Sequence, residues 1–300
     1  MKEKPIILLC EDILKPYNLT LKKYKEIEDD IESIDKDYLL FGTFIYVFSL
    51  FEVTLNNSLE YFLKSIPGKI KTNFKVDKNE ILGTNLVQNL IHDRAKEHVI
   101  KLSYDSLDGY IENYCNIFGI EYLKDQELIN EIIEKKTRRN LILHNDLYIK
   151  TEDTNTTWDD FFNTKPTITK SYIRDTIKIF NKVLKELRTK LSGKYSKYTK
   201  VKLLKDIWYY MFDSPILKFE DYWIIKDEKI RGFNYDYAKK YVNNLSSYEK
   251  TLLAIWIQQF NSDINGKLFE FKEMRFWYSI QKELTLFIEV INRYPHLFYG

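Results

Sequence analysis

The clearest pattern in the chain is an apolar stripe at three-and-four spacing: Leu40, Phe44, Val47, Phe48, Phe51, Leu55, Leu59 and Phe62. Such spacing keeps one helix face apolar and predicts a buried helix over 37–66. Asp35 or Asp37 is placed to cap its start, and Pro67-Gly68 to end it. The uncharged run Tyr38 to Phe51 is fourteen residues, bracketed by Asp37 and Glu52. That falls short of the ~20 needed to cross a bilayer, so the segment reads as core and no membrane partner is expected.

Weaker periodic stretches flank this helix. LKKYKEIEDDIESI, within 11–35, predicts a charged, peripheral helix. Residues 79–119 supply one or two helices, with Gly119 as a C-cap. Residues 125–147 and 172–191 each supply another, and the polar stretch 150–166 between them reads as a loop. SGKYSKYTKVK, residues 192–202, interleaves lysine and tyrosine and reads as a boundary. Beyond it lie DIWYYMF, a hairpin or turn in KFEDYWIIKDEKIRGF, and two helix-like aromatic stretches, SSYEKTLLAIWIQQF and KEMRFWYSIQKELTLFIEVINRY. The expected class is mainly α. The divisions are an N-terminal extension (1–36), a helical bundle (37–191), a linker (192–202) and a mostly helical C-terminal region (203–300).

Composition narrows this picture. Nine glycines and six prolines in 300 residues disfavour turn-rich β folds. The net charge of +2 carries no strong electrostatic footprint for nucleic acid, although a local basic cleft remains compatible with it. Cys10 and Cys115 give neither a disulfide framework nor a thiolate metal site, which fits a reducing cytoplasm. The start, MKEKPIILLCED, is too short in apolar residues for a signal peptide. The sequence holds no glycine-rich phosphate loop and no serine or cysteine nucleophile motif.

One stretch stands apart: KKTRRNLILHND, Lys135 to Asp146. In a helix, Asn140 and His144 lie four apart and share a face. Arg139 is five before His144, about 140° round the axis at ~100° per residue, so its long side chain must curl back. Glu52 is the only charge between Tyr38 and Leu59. A carboxylate beside a core stripe is costly unless paired, and an arginine of the 125–147 helix is its natural partner, being a planar fork matched to carboxylate. Asn56 follows Glu52 by one turn on the same row. The residue types also suit RNA cleavage. Histidine exchanges a proton near neutral pH, arginine stabilises phosphoryl charge, and RNA carries its own 2′-hydroxyl nucleophile. On residue types alone, a buried polar cluster tied by Glu52 and an arginine is the simpler account.

Arg139-Asn140-Leu141-Ile142-Leu143-His144-Asn145 resembles the R-N-x-x-x-H signature of the HEPN superfamily, whose active members are metal-independent endoribonucleases. The order around it is similar too: an early helix with an acid in an apolar run (Glu52), a helix ending in Phe118-Gly119, the signature helix, a polar loop and a closing helix. The resemblance covers about residues 37–191. It implies an up-and-down bundle in which Arg139 and His144 are catalytic. Asn140, Asn145 and Glu52 are supporting residues, and Lys135, Lys136 and Arg138 are candidate RNA contacts. It further implies no metal or other cofactor and a homodimer whose two copies form one composite site. A toxin-like or anti-phage role, with an antitoxin or sensor partner, is implied as well. The alternative is a catalytically silent module of the same shape that binds RNA, a nucleotide or a protein.

Other features carry less. His92, Asp93 and His98 in LIHDRAKEH could suggest a metal, but the two histidines fall on different rows, and exposed helix residues are the simpler expectation. His296 reads as part of a tail. Cys115 reads as core. The lysines and tyrosines from Lys194 to Lys205 could track RNA or could be a solvated linker. The C-terminal aromatics read as a second core rather than an oligomer face.

Overall fold

The computed structural model describes residues 5–70, 87–123, 125–143, 168–212, 214–227, 229–260 and 281–293. The fold is mainly α, with one two-stranded sheet among the described residues. The chain divides into two compact units, Cys10–Ser196 and Lys197–Gly300 together with Met1–Leu9.

The first unit contains α1 (Cys10–Asp30), α2 (Asp37–Ser65), α3 (Val87–Ser103), α4 (Leu107–Phe118), α5 (Gln126–Leu143) and α6 (Lys170–Tyr195). Helix α2 is its hub and packs against the other five. Every residue of the apolar stripe from Leu40 to Phe62 is buried. By length and apolar content alone α2 would pass as a membrane-crossing helix, yet its stripe is spent on protein packing. Phe51 stacks on Phe180 of α6 at 4.4 Å, and Phe62 meets Phe118 of α4 at 4.3 Å. Offset and tilted ring pairs of this kind add to plain area burial. No side chain caps the start of α2. Lys36 occupies the cap position, and Asp37 sits inside the first turn, where its charge suits the helix dipole. Ile66 and the 3₁₀ turn Pro67–Lys69 close the helix. Gly119 ends α4 with φ of 60°, a left-handed cap that glycine adopts without a Cβ penalty.

Three boundaries differ from the sequence expectation. Helix α1 is not peripheral: Ile13, Leu14, Tyr17, Thr20 and Tyr24 are buried, and the helix packs on α2 and α6. Tyrosine and threonine can line a core here because their hydroxyls find partners. Tyr24 donates to the Val47 carbonyl, and Thr20 meets Thr54 at 2.6 Å. Tyr17 bonds Tyr114, which donates to Ser58, which donates to the Ile13 carbonyl. Second, the division between the units, after Ser196, falls inside the expected linker, but much of that stretch is helical. Helix α6 runs on to Tyr195, whose buried hydroxyl donates to the Phe118 carbonyl. The next helix begins at Lys200. Third, Ile7, Leu8 and Leu9 are buried and belong with the C-terminal residues.

The second unit contains α7 (Lys200–Met211), α8 (Phe219–Tyr222), β1 (Trp223–Lys226), β2 (Lys229–Phe233), α9 (Tyr235–Tyr241), α10 (Ser247–Phe260) and α11 (Gln281–Arg293). The hairpin expected in KFEDYWIIKDEKIRGF is present. Trp223 pairs with Phe233, the register shifts between Ile224 and Ile225, and Asp227 turns the chain with φ of 52°. Its core is aromatic. Trp208 lies 4.4 Å from Phe212, 5.2 Å from Trp256 and 5.6 Å from Tyr222. Its indole N–H donates to the Leu217 carbonyl, and Trp256 packs on Phe287. The aromatic C-terminal half is thus a core of its own, within the described residues.

Candidate active site

Helix α2 carries a row of four residues at steps of four: Phe44, Phe48, Glu52 and Asn56. Each meets a side chain from another helix. Phe44 packs on Tyr172 of α6 with ring centroids 5.5 Å apart. Phe48 lies under the Arg139 guanidinium at 5.4 Å. Glu52 accepts from Arg139 Nη2 at 2.7 Å. Asn56 accepts from the Tyr110 hydroxyl at 2.7 Å. The row therefore bolts α5, α4 and α6 onto the hub.

The Arg139–Glu52 pair is the one that the lone acid in an apolar run demanded. Their side chains are 21% and 26% exposed, so the pair is neither surface nor sealed core. Exposed pairs are worth up to about 1 kcal/mol, whereas breaking a buried one costs about 3–5; this pair falls between. Arg139 Nη1 donates to Asn140 Oδ1 at 2.8 Å. A guanidinium has five N–H donors. Two are used in these bonds. The Nε–H is buried and has no hydrogen-bond partner among the described residues. One hydrogen on each terminal nitrogen is not used by these bonds. Asn140 thus orients Arg139 directly, through the adjacent position rather than from the next turn.

A second cluster lies one turn earlier on α5. Glu134 accepts from both the Tyr172 hydroxyl and Lys135, and Arg138 Nε donates to it at 2.9 Å. The Lys135 ammonium sits 3.9 Å from the Tyr172 ring centroid, and the Arg138 guanidinium 4.4 Å. Two cations thus share one ring and one carboxylate. Burial works to raise the Glu134 pKa. The bonds from Lys135 and Tyr172 and the charges of Lys135 and Arg138 outweigh it, and the carboxyl sits below its ordinary value. Burial, then Glu134, pushes the Tyr172 phenol up.

These contacts show how the candidate RNA-contact residues are held. Lys135 is only 8% exposed, and its charge faces Tyr172 and Glu134. Arg138 is partly exposed and engaged with Glu134 and Tyr172. Lys136 donates to the Asp105 carbonyl at 3.2 Å, which ties α5 to the loop before α4. The Glu134-x-x-x-Arg138 spacing was the sequence signal for this cluster; nothing local pointed to Tyr172.

His144 and Asn145 lie outside the described residues, as do His296 and the stretch 150–166. Helix α5 is described as far as Leu143, whose side chain is exposed.

No family model, curated protein or solved structure matches the chain. The site must be read from its own chemistry.

Elsewhere, no cluster of three or more His, Cys, Asp or Glu residues could hold a metal among the described residues. His92 is half-buried and Asp93 exposed, but His98 is buried, not exposed as expected. Cys115 is core, and burial pushes its thiol up to about 11, far from a reactive thiolate. Tyr195 of the lysine-tyrosine run is committed to the Phe118 carbonyl, so it offers no stacking surface. An open groove of about 670 Å³ between α5 and α6 is lined by Lys178, Lys182 and Lys185 but also by Glu131 and Asp175. Lys182 there is paired with Asp125.

Proposed function

We propose that the Cys10–Ser196 unit is an endoribonuclease of the HEPN type, cleaving RNA by attack of its own 2′-hydroxyl without a metal. The observation that carries this reading is the held guanidinium of Arg139. Glu52 and Asn140 fix it from two sides, Phe48 supports its plane, and two terminal N–H groups remain to meet a phosphate. Such a preset donor pair costs little reorganisation when charge develops on the phosphoryl oxygens.

In this reading His144, next after Leu143, takes the 2′-hydroxyl proton. The 2′-oxygen forms a bond to phosphorus, and the bond from phosphorus to the 5′-oxygen breaks. The leaving oxygen takes up a proton, from the conjugate acid or from water. The products are a 2′,3′-cyclic phosphate and a 5′-hydroxyl. A base, a cation and a positioning amide are sufficient for this chemistry. Two copies of the chain would bring two such sites together. The role would be that of a toxin or anti-phage effector held in check by a partner.

A second reading draws on the same pair. Arg139 is only partly exposed and its Nε is sealed in. A structural tie between α2 and α5, in a silent module, would look similar in these respects. The two separate in cells. Inducing the wild-type chain should stop growth and accumulate new RNA ends, and inducing His144→Ala should do neither. Equal growth of both strains, with no new ends, would favour the silent module.

A further inference from the structure

We infer that Tyr104 is the platform on which an unpaired base of the RNA stacks beside Arg139. This rests on the ribonuclease reading and adds a substrate-contacting residue outside the signature helix. Tyr104 lies in the short loop between α3 and α4 and is 85% exposed, more than any other large apolar or aromatic side chain among the described residues. Its loop is fastened on several sides. Lys136 of α5 donates to the carbonyl of Asp105, the next residue. Asn113 donates to the Asp105 carboxylate at 3.4 Å. Ser106 caps α4 by accepting from the Gly109 N–H.

The Lys136 bond fixes where this loop sits. Lys136 is three residues before Arg139, on the neighbouring turn of α5. Just beyond the loop, Tyr110 on the first turns of α4 bonds Asn56, one turn after Glu52 on α2. The loop therefore stands at the same end of the α2–α4–α5 seam as the Arg139–Glu52 pair. An exposed lysine, Lys101, precedes Tyr104 by three residues. The result is an aromatic ring in water, on a loop fastened to Lys136, at the same end of the seam as the guanidinium that would hold a phosphate. Single-strand sites are built this way: cations follow the backbone, and rings take the bases. A base within a duplex has no free face to offer, so Tyr104 selects unpaired RNA.

The test uses the full chain and a fluorescent 2′-O-methyl RNA oligonucleotide, which has no free 2′-hydroxyl and cannot be cut. Anisotropy titrations compare wild type, Tyr104→Ala, Tyr104→Phe, and Tyr38→Ala as an exposed tyrosine on α2. Loss of one base–aromatic stack should weaken binding by roughly tenfold or more. Tyr104→Phe should bind as wild type does, because the ring and not the hydroxyl is used. Tyr38→Ala should have no effect. With cleavable RNA, Tyr104→Ala should raise KM and leave kcat unchanged, and duplex RNA should not respond to the substitution. Equal binding by wild type and Tyr104→Ala overturns the platform and leaves the ribonuclease reading standing. Tyr104-dependent binding without cleavage by wild type supports the platform and overturns the ribonuclease reading.

Discussion

Arg139 of α5 and Glu52 of α2 stand 87 residues apart in sequence and 2.7 Å apart in the fold. The pair sits over Phe48 and at the edge of solvent, so each charge depends on the other for its solvation. Glu52→Ala is expected to cost about 1–3 kcal/mol, between the values for exposed and buried pairs. Arg139→Ala should cost a similar amount, and the double variant less than the sum. Urea unfolding of the four proteins measures this coupling. Additive losses would mean the two side chains do not interact in solution.

Arg139→Lys separates the two roles of the guanidinium. Lysine keeps the charge but not the fork, so it cannot serve Glu52, Asn140 and a phosphate at once. The expected result is a folded protein with RNA cleavage reduced by about 100-fold or more, the size typical of losing a transition-state donor. Cleavage at the wild-type rate would remove Arg139 from the chemistry.

How far these elements were legible differs from helix to helix. The apolar stripe of α2 was plain because period alone marks a buried face. Glu52 announced a partner because a lone carboxylate in an apolar run needs one. Spacing could not choose between Arg138 and Arg139. The resemblance chose Arg139, and the structure places that residue on Glu52 while Arg138 turns to Glu134 and Tyr172. Helix α1 was underrated because its buried face includes Tyr17, Thr20 and Tyr24. Such residues count as core only when distant hydroxyls or carbonyls satisfy them, and those partners are invisible locally. The helical part of the expected linker was hidden for the same reason: Tyr195 is buried and bonds the Phe118 carbonyl.

The hydroxyl chain from Tyr17 through Tyr114 and Ser58 to the Ile13 carbonyl is fully buried. Ser58→Ala removes its middle member and leaves Tyr114 without an acceptor. The expected loss is about 1–3 kcal/mol, the cost of a stranded polar group. Thermal or urea unfolding checks it. An unchanged midpoint would mean that Tyr114 finds another acceptor.

Glu134 gives a pH dependence with a definite sign. Its folded pKa lies below the ordinary value of 4.5. The stability it contributes is therefore fully present above that value and is lost as pH falls through the lower, folded one. Melting curves taken between pH 7 and pH 3 should show a steeper acid loss for wild type than for Glu134→Gln. Parallel curves would show that the Lys135–Tyr172–Arg138 cluster leaves Glu134 unperturbed.

In the proposed function, Arg139 and His144 cut RNA without metal. Purified wild type and His144→Ala, each incubated with single-stranded RNA in excess EDTA, test it most directly through the chemistry of the ends. Wild type should leave 2′,3′-cyclic phosphates and 5′-hydroxyls, and His144→Ala, with an unchanged melting curve, should leave the RNA intact. Cleavage by His144→Ala at the wild-type rate, or intact RNA with both proteins, would contradict the account.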